Sequence, residues 1–386
     1  MASAVDAITE NNMSDWQPQV VRIEKVEKHP DADALDVCTV LGDYPVITKR
    51  NEYKIDDLAC YIPIDTIVSD TQFFYFLCPL LKEKYEEVEG NDIVTKERII
   101  GPKYPVGSVP EKYRRIKAKR IRGTYSQGML VEVPWPGHRN PNAMKLGDSC
   151  VEHYQLKKWE EEEEENLPGL KKTRGTNAEK APSGWSIPHY DIDGIRKYVE
   201  CLGEGEEIVL TEKIHGSNAG FSHDGTRLWV KSRNYYKKMD EDDMWWDIAL
   251  RYDLENKLAQ APHLVFFGEV YGQVKKFRYD TVIEDGRLMT KIRFFDVWDT
   301  RLMRYMNYQE RLNMLNVLGL DSVPELYRGP WLGKEQMYPF AEGLTTLGGK
   351  HIREGWVLNT LKERYEPRLD SRMQVKLVGE AYNLQK

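Results

Sequence analysis

The chain has 386 residues, 41% of them hydrophobic and 30% charged, and a formal net charge of −7. That length suffices for a sizeable core and favours two domains over one, while the acidic balance excludes a protein that grips nucleic acid over its whole surface: phosphate contact would need a local cluster of Lys and Arg. Five scattered cysteines (Cys38, Cys60, Cys78, Cys150 and Cys201), without a C-x-x-C pair, predict reduced thiols rather than a disulfide framework or a zinc site.

The opening MASAVDAITENNMSDW has no apolar h-region of a signal peptide. No apolar run approaches the roughly 18 residues of a membrane-spanning helix. The expectation is a soluble intracellular protein, cytoplasmic or nuclear, with no membrane partner.

The first stretch reads as short strands broken by turns: VVRIEKVEKHP (20–30), ALDVCTVLG (34–42), YPVITK (44–49), LACYIPID (58–65) and SQGMLVEVP (126–134). Short alternating runs punctuated by Pro, Gly and Asp predict a small antiparallel barrel. The segment HPDADALDV resembles the openings of OB-type nucleic-acid-binding barrels. Between these strands lies KYRRIKAKRIRG (112–123), the most basic stretch of the chain. Such a run can be a solvated face, but beside a barrel in an acidic chain Lys117, Lys119, Arg120 and Arg122 are candidate phosphate contacts.

Residues 157–184 hold the acidic run of 160–165 and then Gly, Pro, Lys and Thr without apolar periodicity, the pattern of a charged linker. The predicted organisation is therefore 1–156, an OB-like nucleic-acid-binding domain; 157–184, the linker; and 185–386, a second domain. The latter alternates strands with helical segments at 242–260 and 307–319, which predicts an α+β domain on antiparallel sheets rather than a βαβ winding. It contains neither a G-x-x-x-x-G-K-[ST] P-loop nor a strand-linked G-x-G-x-x-G, so a nucleotide would be held another way.

IVLTEKIHGSNAGF (208–221) carries the chemistry. Extended, it alternates faces, so Lys213 and His215 point one way and Ile214 into the core; Gly216 follows where a backbone must turn or approach closely. Downstream, in order, come KSRN with Arg233, FFGEVYG with Glu269, IRFFDVWD with Phe295 and Asp296, HIREGWVL with Glu354, and MQVKLV with Gln374 and Lys376. Each alone has a bland reading as core, surface ion pair or strand edge. Together their order resembles the nucleotidyltransferase motif series of ATP-dependent polynucleotide ligases and capping enzymes. T-E-K-I-H-G-S-N is similar to the RNA ligase form, K-x-H-G-x-N, and especially to phage-type nick-sealing RNA ligases. A barrel ahead of the catalytic domain resembles the branch with an N-terminal OB domain.

The resemblance implies an ATP-dependent RNA ligase that joins 3′-OH and 5′-phosphate ends through a lysyl-AMP and an RNA-adenylate, in RNA repair, on a nicked duplex, as a monomer. It implies Lys213 as nucleophile, with His215, Glu354 and Lys376 as further catalytic residues. Glu212, Asn218, Arg233, Glu269, Phe295 and Lys376 would bind the nucleotide: Arg233 and Glu269 at the ribose, Phe295 stacked on adenine. Asn218 would also engage the 5′-phosphate of the RNA. Free Lys titrates near 10.4, so attack on a phosphate needs nearby positive charge; Lys376, Arg233 and a divalent Mg²⁺ or Mn²⁺, the latter held through water by Glu354, would supply it. One departure stands out. The family's last motif carries K-x-K, whereas Gln374 fills the first position here and leaves Lys376, with Arg372 as a possible stand-in. Two rival readings remain: a capping guanylyltransferase or DNA ligase, which generally show Asp where His215 stands, and a non-catalytic RNA-binding protein.

Overall fold

The computed structural model describes residues 16–89, 92–134, 144–159, 178–180, 190–233, 235–240, 243–272, 279, 283–284 and 287–385. Of the predicted linker, residues 160–177 and 181–184, with the acidic run, lie outside the described residues. The chain divides into two units, Trp16–Glu161 and Glu162–Gln385.

The first unit is built from the predicted strands. Gln19–Arg22, Leu58–Ile62 and Met129–Val131 form one antiparallel sheet, and Lys25–Lys28, Leu35–Val40 and Tyr44–Lys49 a meander. Burial in Leu35–Val40 and Tyr44–Lys49 alternates residue by residue, the period of a pleated strand with one face on a core. That core gathers Val21, Ile23, Val40, Val46 and Tyr61. A hairpin of Leu80–Glu89 and Asp92–Pro102, absent from the sequence expectation, adds a two-stranded arm.

The basic run is divided in use. Arg114 donates to the carbonyls of Val109 and Val68, and Arg115 pairs with Asp65 at 2.5 Å and stacks on Trp159. Lys117, Lys119, Arg120 and Arg122 are exposed.

The second unit has two principal sheets. A seven-stranded sheet runs in the order Ala178–Glu179, Tyr236–Lys237, Leu228–Ser232, Ser217–His223, Leu264–Tyr271, Lys291–Asp299, Arg304–Tyr305. A five-stranded sheet runs Asp193–Gly194, Gln374–Val378, Gly355–Thr360, Glu207–Lys213, Glu325–Pro330, all antiparallel except its first pair. This is the α+β architecture expected. The expected helix over 242–260 is two helices, Met244–Arg251 and Leu254–Ala259, because Asp253 takes a left-handed φ of 52° and breaks the turn. Asp243 caps the first by accepting from the N–H groups of Trp245 and Trp246, and both indoles pack into the core beneath the larger sheet. Asn307 and Glu310 form a capping box for Tyr308–Val317. Among the described residues, no helix is long and apolar enough to cross a membrane.

Candidate active site

The strand Glu207–Lys213 ends at Lys213, and the next, Ser217–His223, already belongs to the other sheet. Residues 214–216 therefore carry the chain from one sheet to the other. Ile214 and His215 are buried, and Gly216 is wedged tightly: a Cβ there would stand 2.2 Å from the Val270 carbonyl oxygen. Only glycine fits this approach.

The turn sets Lys213 against Glu354. Lys213 ends its strand and Glu354 immediately precedes the adjoining strand Gly355–Thr360, Lys213 being the register partner of Gly355, and Lys213 Nζ lies 2.7 Å from Glu354 Oε1. The other carboxylate oxygen is 3.8 Å from His215 Nδ1. Burial alone would raise the Glu354 pKa, but Lys213 and His215 outweigh it and hold the carboxyl well below the usual carboxylate range. Two tyrosines complete the cluster. The Tyr279 hydroxyl accepts the backbone N–H of His215 at 2.8 Å, and the Tyr382 hydroxyl lies 2.6 Å from His215 Nδ1.

The remaining motif residues share a signature. In the buried strand Leu264–Tyr271, Glu269 is the single half-buried position, and Asn218 is the one in Ser217–His223. These two are register partners across antiparallel strands. Lys376 is half-buried between Val375 and Leu377, both in the core, on the strand paired with Gly355–Thr360. Phe295 alternates with buried Phe294 and packs on Tyr190 with ring centroids 4.9 Å apart. Lys231 is also half-buried on its strand, and burial pushes its ammonium pKa down. Arg233 lies past the end of that strand, exposed and paired with Asp191 at 3.0 Å.

Lys213, His215 and Glu354 are thus in direct contact, and Asn218 and Glu269 face one another. Glu212 sits on the opposite side of its strand from Lys213. Its buried carboxylate accepts from Thr345 Oγ1, Thr346 Oγ1 and the Thr346 N–H at 2.5, 2.5 and 2.8 Å, so it anchors a loop. Gln374 is absorbed into a buried polar network. Its amide donates to Asn359 Oδ1 at 2.7 Å, and the Tyr190 hydroxyl lies 2.9 Å from Gln374 Oε1 and 2.7 Å from Asp296 Oδ2. Arg372, the possible stand-in for a missing lysine, pairs with Asp296 at 2.5 Å and with Glu363. It compensates carboxylates rather than standing ready for a phosphate. Burial pushes the Glu363 carboxyl up to about 7 against the pull of Arg372.

The sequence reading had missed Tyr279, Tyr382 and the Thr345–Thr346 clamp. None sits in a periodic or motif-like segment, so no local signal marks them.

Comparison with known proteins bears on the domains and the fold. Residues 206–378 match the RNA ligase family model, and residues 18–99 match an OB-fold domain. Among solved structures, a Naegleria gruberi RNA ligase mutant without ligand aligns at TM-score 0.70 and 20% identity, over 97% of this chain and 99% of that one. A mutant of Naegleria gruberi RNA ligase with ATP and Mn aligns at TM-score 0.71 and 20% identity, over 96% and 99%. Naegleria gruberi RNA ligase with PPi aligns at TM-score 0.69 and 20% identity, over 95% and 97%. At that identity the likeness concerns the fold. No curated protein sequence matches the chain. Residues 206–378 thus form an RNA ligase domain, preceded by an OB-fold domain over residues 18–99, and the chain shares the fold of those solved structures.

Proposed function

We propose that the enzyme joins RNA 3′-OH and 5′-phosphate ends, the geometry of a nick in RNA repair, through a covalent intermediate on Lys213. The observation that carries this reading is the Lys213–Glu354 pair at 2.7 Å, placed where the two sheets meet. Lys213 Nζ attacks the α-phosphorus of ATP; a P–N bond forms, the α–β phosphoanhydride breaks and pyrophosphate leaves. The RNA 5′-phosphate then takes the AMP from lysine. Last, the 3′-OH attacks the activated 5′-phosphorus, a phosphodiester forms and AMP leaves. Lys213 is a quarter exposed, so its proton can leave to water.

Glu354 is a poor proton acceptor, because Lys213 and His215 hold its carboxyl ionised far below neutral pH. It acts as a charge partner and as an oxygen ligand. A single ionised carboxylate suits Mg²⁺ or Mn²⁺, hard ions that keep several waters, and among the described residues no cluster of three or more ligating side chains gathers. The ion would supply positive charge beside the reacting phosphate. Lys376 adds a fixed cation to the same end. Arg233 and Glu269 bind the ribose, Phe295 stacks on adenine, and Asn218 donates to the RNA 5′-phosphate. Glu212 supports the nucleotide site from behind by fixing the Thr345–Thr346 loop.

In this reading residues 1–156 grip the RNA with Lys117, Lys119, Arg120 and Arg122, residues 157–184 link, residues 185–386 carry out adenylylation, and the enzyme works as a monomer inside the cell. Incubating wild type and Lys213→Ala with α-labelled ATP and Mg²⁺ tests the core of the proposal. Label on wild type alone is expected. A fully labelled variant would end the assignment of the nucleophile, and labelling by GTP in place of ATP would favour the capping reaction.

A further inference from the structure

We infer that Tyr382, on the C-terminal helix, is a positioning residue that fixes the His215 imidazole beside the Lys213–Glu354 pair. The inference rests on His215 being one of the catalytic residues, as the motif resemblance implies, and assigns a working part to a helix outside the stretch matched by the ligase family model, which ends at residue 378.

The helix Glu380–Gln385 follows directly on the strand Gln374–Val378, and its start is seated against backbone on two sides. The Gly379 N–H donates to the Glu354 carbonyl at 2.9 Å, and a Cβ on Gly379 would stand 2.8 Å from the Ala341 carbonyl oxygen. The Glu380 N–H donates to Glu342 Oε1 at 2.6 Å. Glu354 and the first turn of the helix are thus parts of one rigid junction. Tyr382 leaves this turn toward His215, with 3% of its surface exposed. Its ring lies 5.7 Å from the imidazole, and its hydroxyl reaches Nδ1 at 2.6 Å.

Among the described residues Glu354, Tyr279 and Tyr382 make contacts with His215, and Lys213 stands two positions before it on the same segment. Tyr279 holds the backbone N–H, which places the residue but does not orient its ring. Glu354 Oε2 is 3.8 Å from Nδ1, outside hydrogen-bond reach, and the Tyr382 hydroxyl is within it. The phenol therefore engages Nδ1 and sets the ring plane. Without the hydroxyl, Glu354 Oε2 remains 3.8 Å from Nδ1. A ring swung toward it would draw on the carboxylate that serves Lys213. Both consequences act through His215.

The test is a double-mutant cycle on the full-length protein with Tyr382→Phe and His215→Ala. Single-turnover formation of lysyl-AMP and sealing of a nicked RNA duplex are measured across pH, with thermal midpoints alongside. Phe fills the same space and removes only the hydroxyl. Tyr382→Phe is expected to slow turnover about tenfold, the worth of one buried hydrogen bond, to displace the pH–rate profile, and to cost nothing further in the His215→Ala background. Equal losses in both backgrounds with an unmoved profile would reduce Tyr382 to a packing residue and overturn the inference. So would a wild-type Tyr382→Phe beside an impaired His215→Ala, which leaves the proposed function standing. A fully active His215→Ala would instead overturn the role given to His215, and the inference with it.

Discussion

Asn218 and Glu269 stand directly opposite each other on antiparallel strands, each the one half-buried position of an otherwise buried strand. Asn218 also gives its backbone carbonyl to the Trp245 indole at 2.9 Å, so its place in the sheet does not depend on its side chain. Asn218→Ala is therefore expected to keep the fold and lysyl-AMP formation while losing sealing of a 5′-phosphorylated RNA. Step-resolved assays with pre-adenylylated RNA locate the loss. Equal defects in adenylylation and sealing would count against the separation.

Glu354→Gln keeps the shape of the side chain but removes the charge facing Lys213 and His215. Lysyl-AMP formation should fall by about 10²-fold or more, the scale of a lost electrostatic contact to reacting groups. Chelation of divalent ions should abolish the step in wild type, and excess Mn²⁺ should not restore the variant to the wild-type rate. Labelling unaffected by chelator would remove the metal role.

Glu363 makes stability depend on pH. One guanidinium, that of Arg372, faces two carboxyls, and burial pushes the Glu363 pKa up to about 7. An acid with a raised folded pKa stabilises the fold fully below its unfolded value of about 4.3, and that contribution drains away as pH rises through the folded value. The window is about 4.3 to 7, and the amount is on the order of 3 kcal/mol. Glu363→Gln imitates the neutral form. Its thermal midpoint should decline less than that of wild type between pH 5 and 7.5. Parallel declines would show that Glu363 does not carry the dependence.

Neutralising Lys117, Lys119, Arg120 and Arg122 together leaves Arg114 and Arg115 on their structural partners. RNA affinity is expected to drop by a factor on the order of 10 or more at moderate salt, with a shallower salt dependence and unchanged lysyl-AMP formation. Undiminished nick sealing by this variant would clear the first domain's basic run of a role in binding.

The candidate site residues could be picked out in the sequence because most of them lie on strands. Lys213, Asn218, Glu269 and Lys376 stand out as half-buried polar positions in otherwise buried strand runs. The barrel was legible for the same reason. What could not be read were contacts closed across long separations. Tyr382 meets His215 from 167 positions away, Thr345 meets Glu212 from 133, and Tyr190 meets Gln374 from 184. Gln374 illustrates the limit: its sequence shows a missing lysine, and its surroundings show an amide fitted between Asn359, Tyr190 and Asp296.

The connection between Lys213 and Ser217 is three residues long, which spans about 10 Å at full extension, and Gly216 is wedged against Val270. It has no slack to absorb an extra residue. One inserted amino acid would have to be taken up by the strand Ser217–His223, and a slip of one position turns every side chain to the opposite face. Asn218 would then point into the core that Ala219 and Phe221 now fill, and those apolar side chains would be presented to the RNA end. In length this short crossing forgives little, so substitutions around it should be found far more readily than insertions or deletions within it.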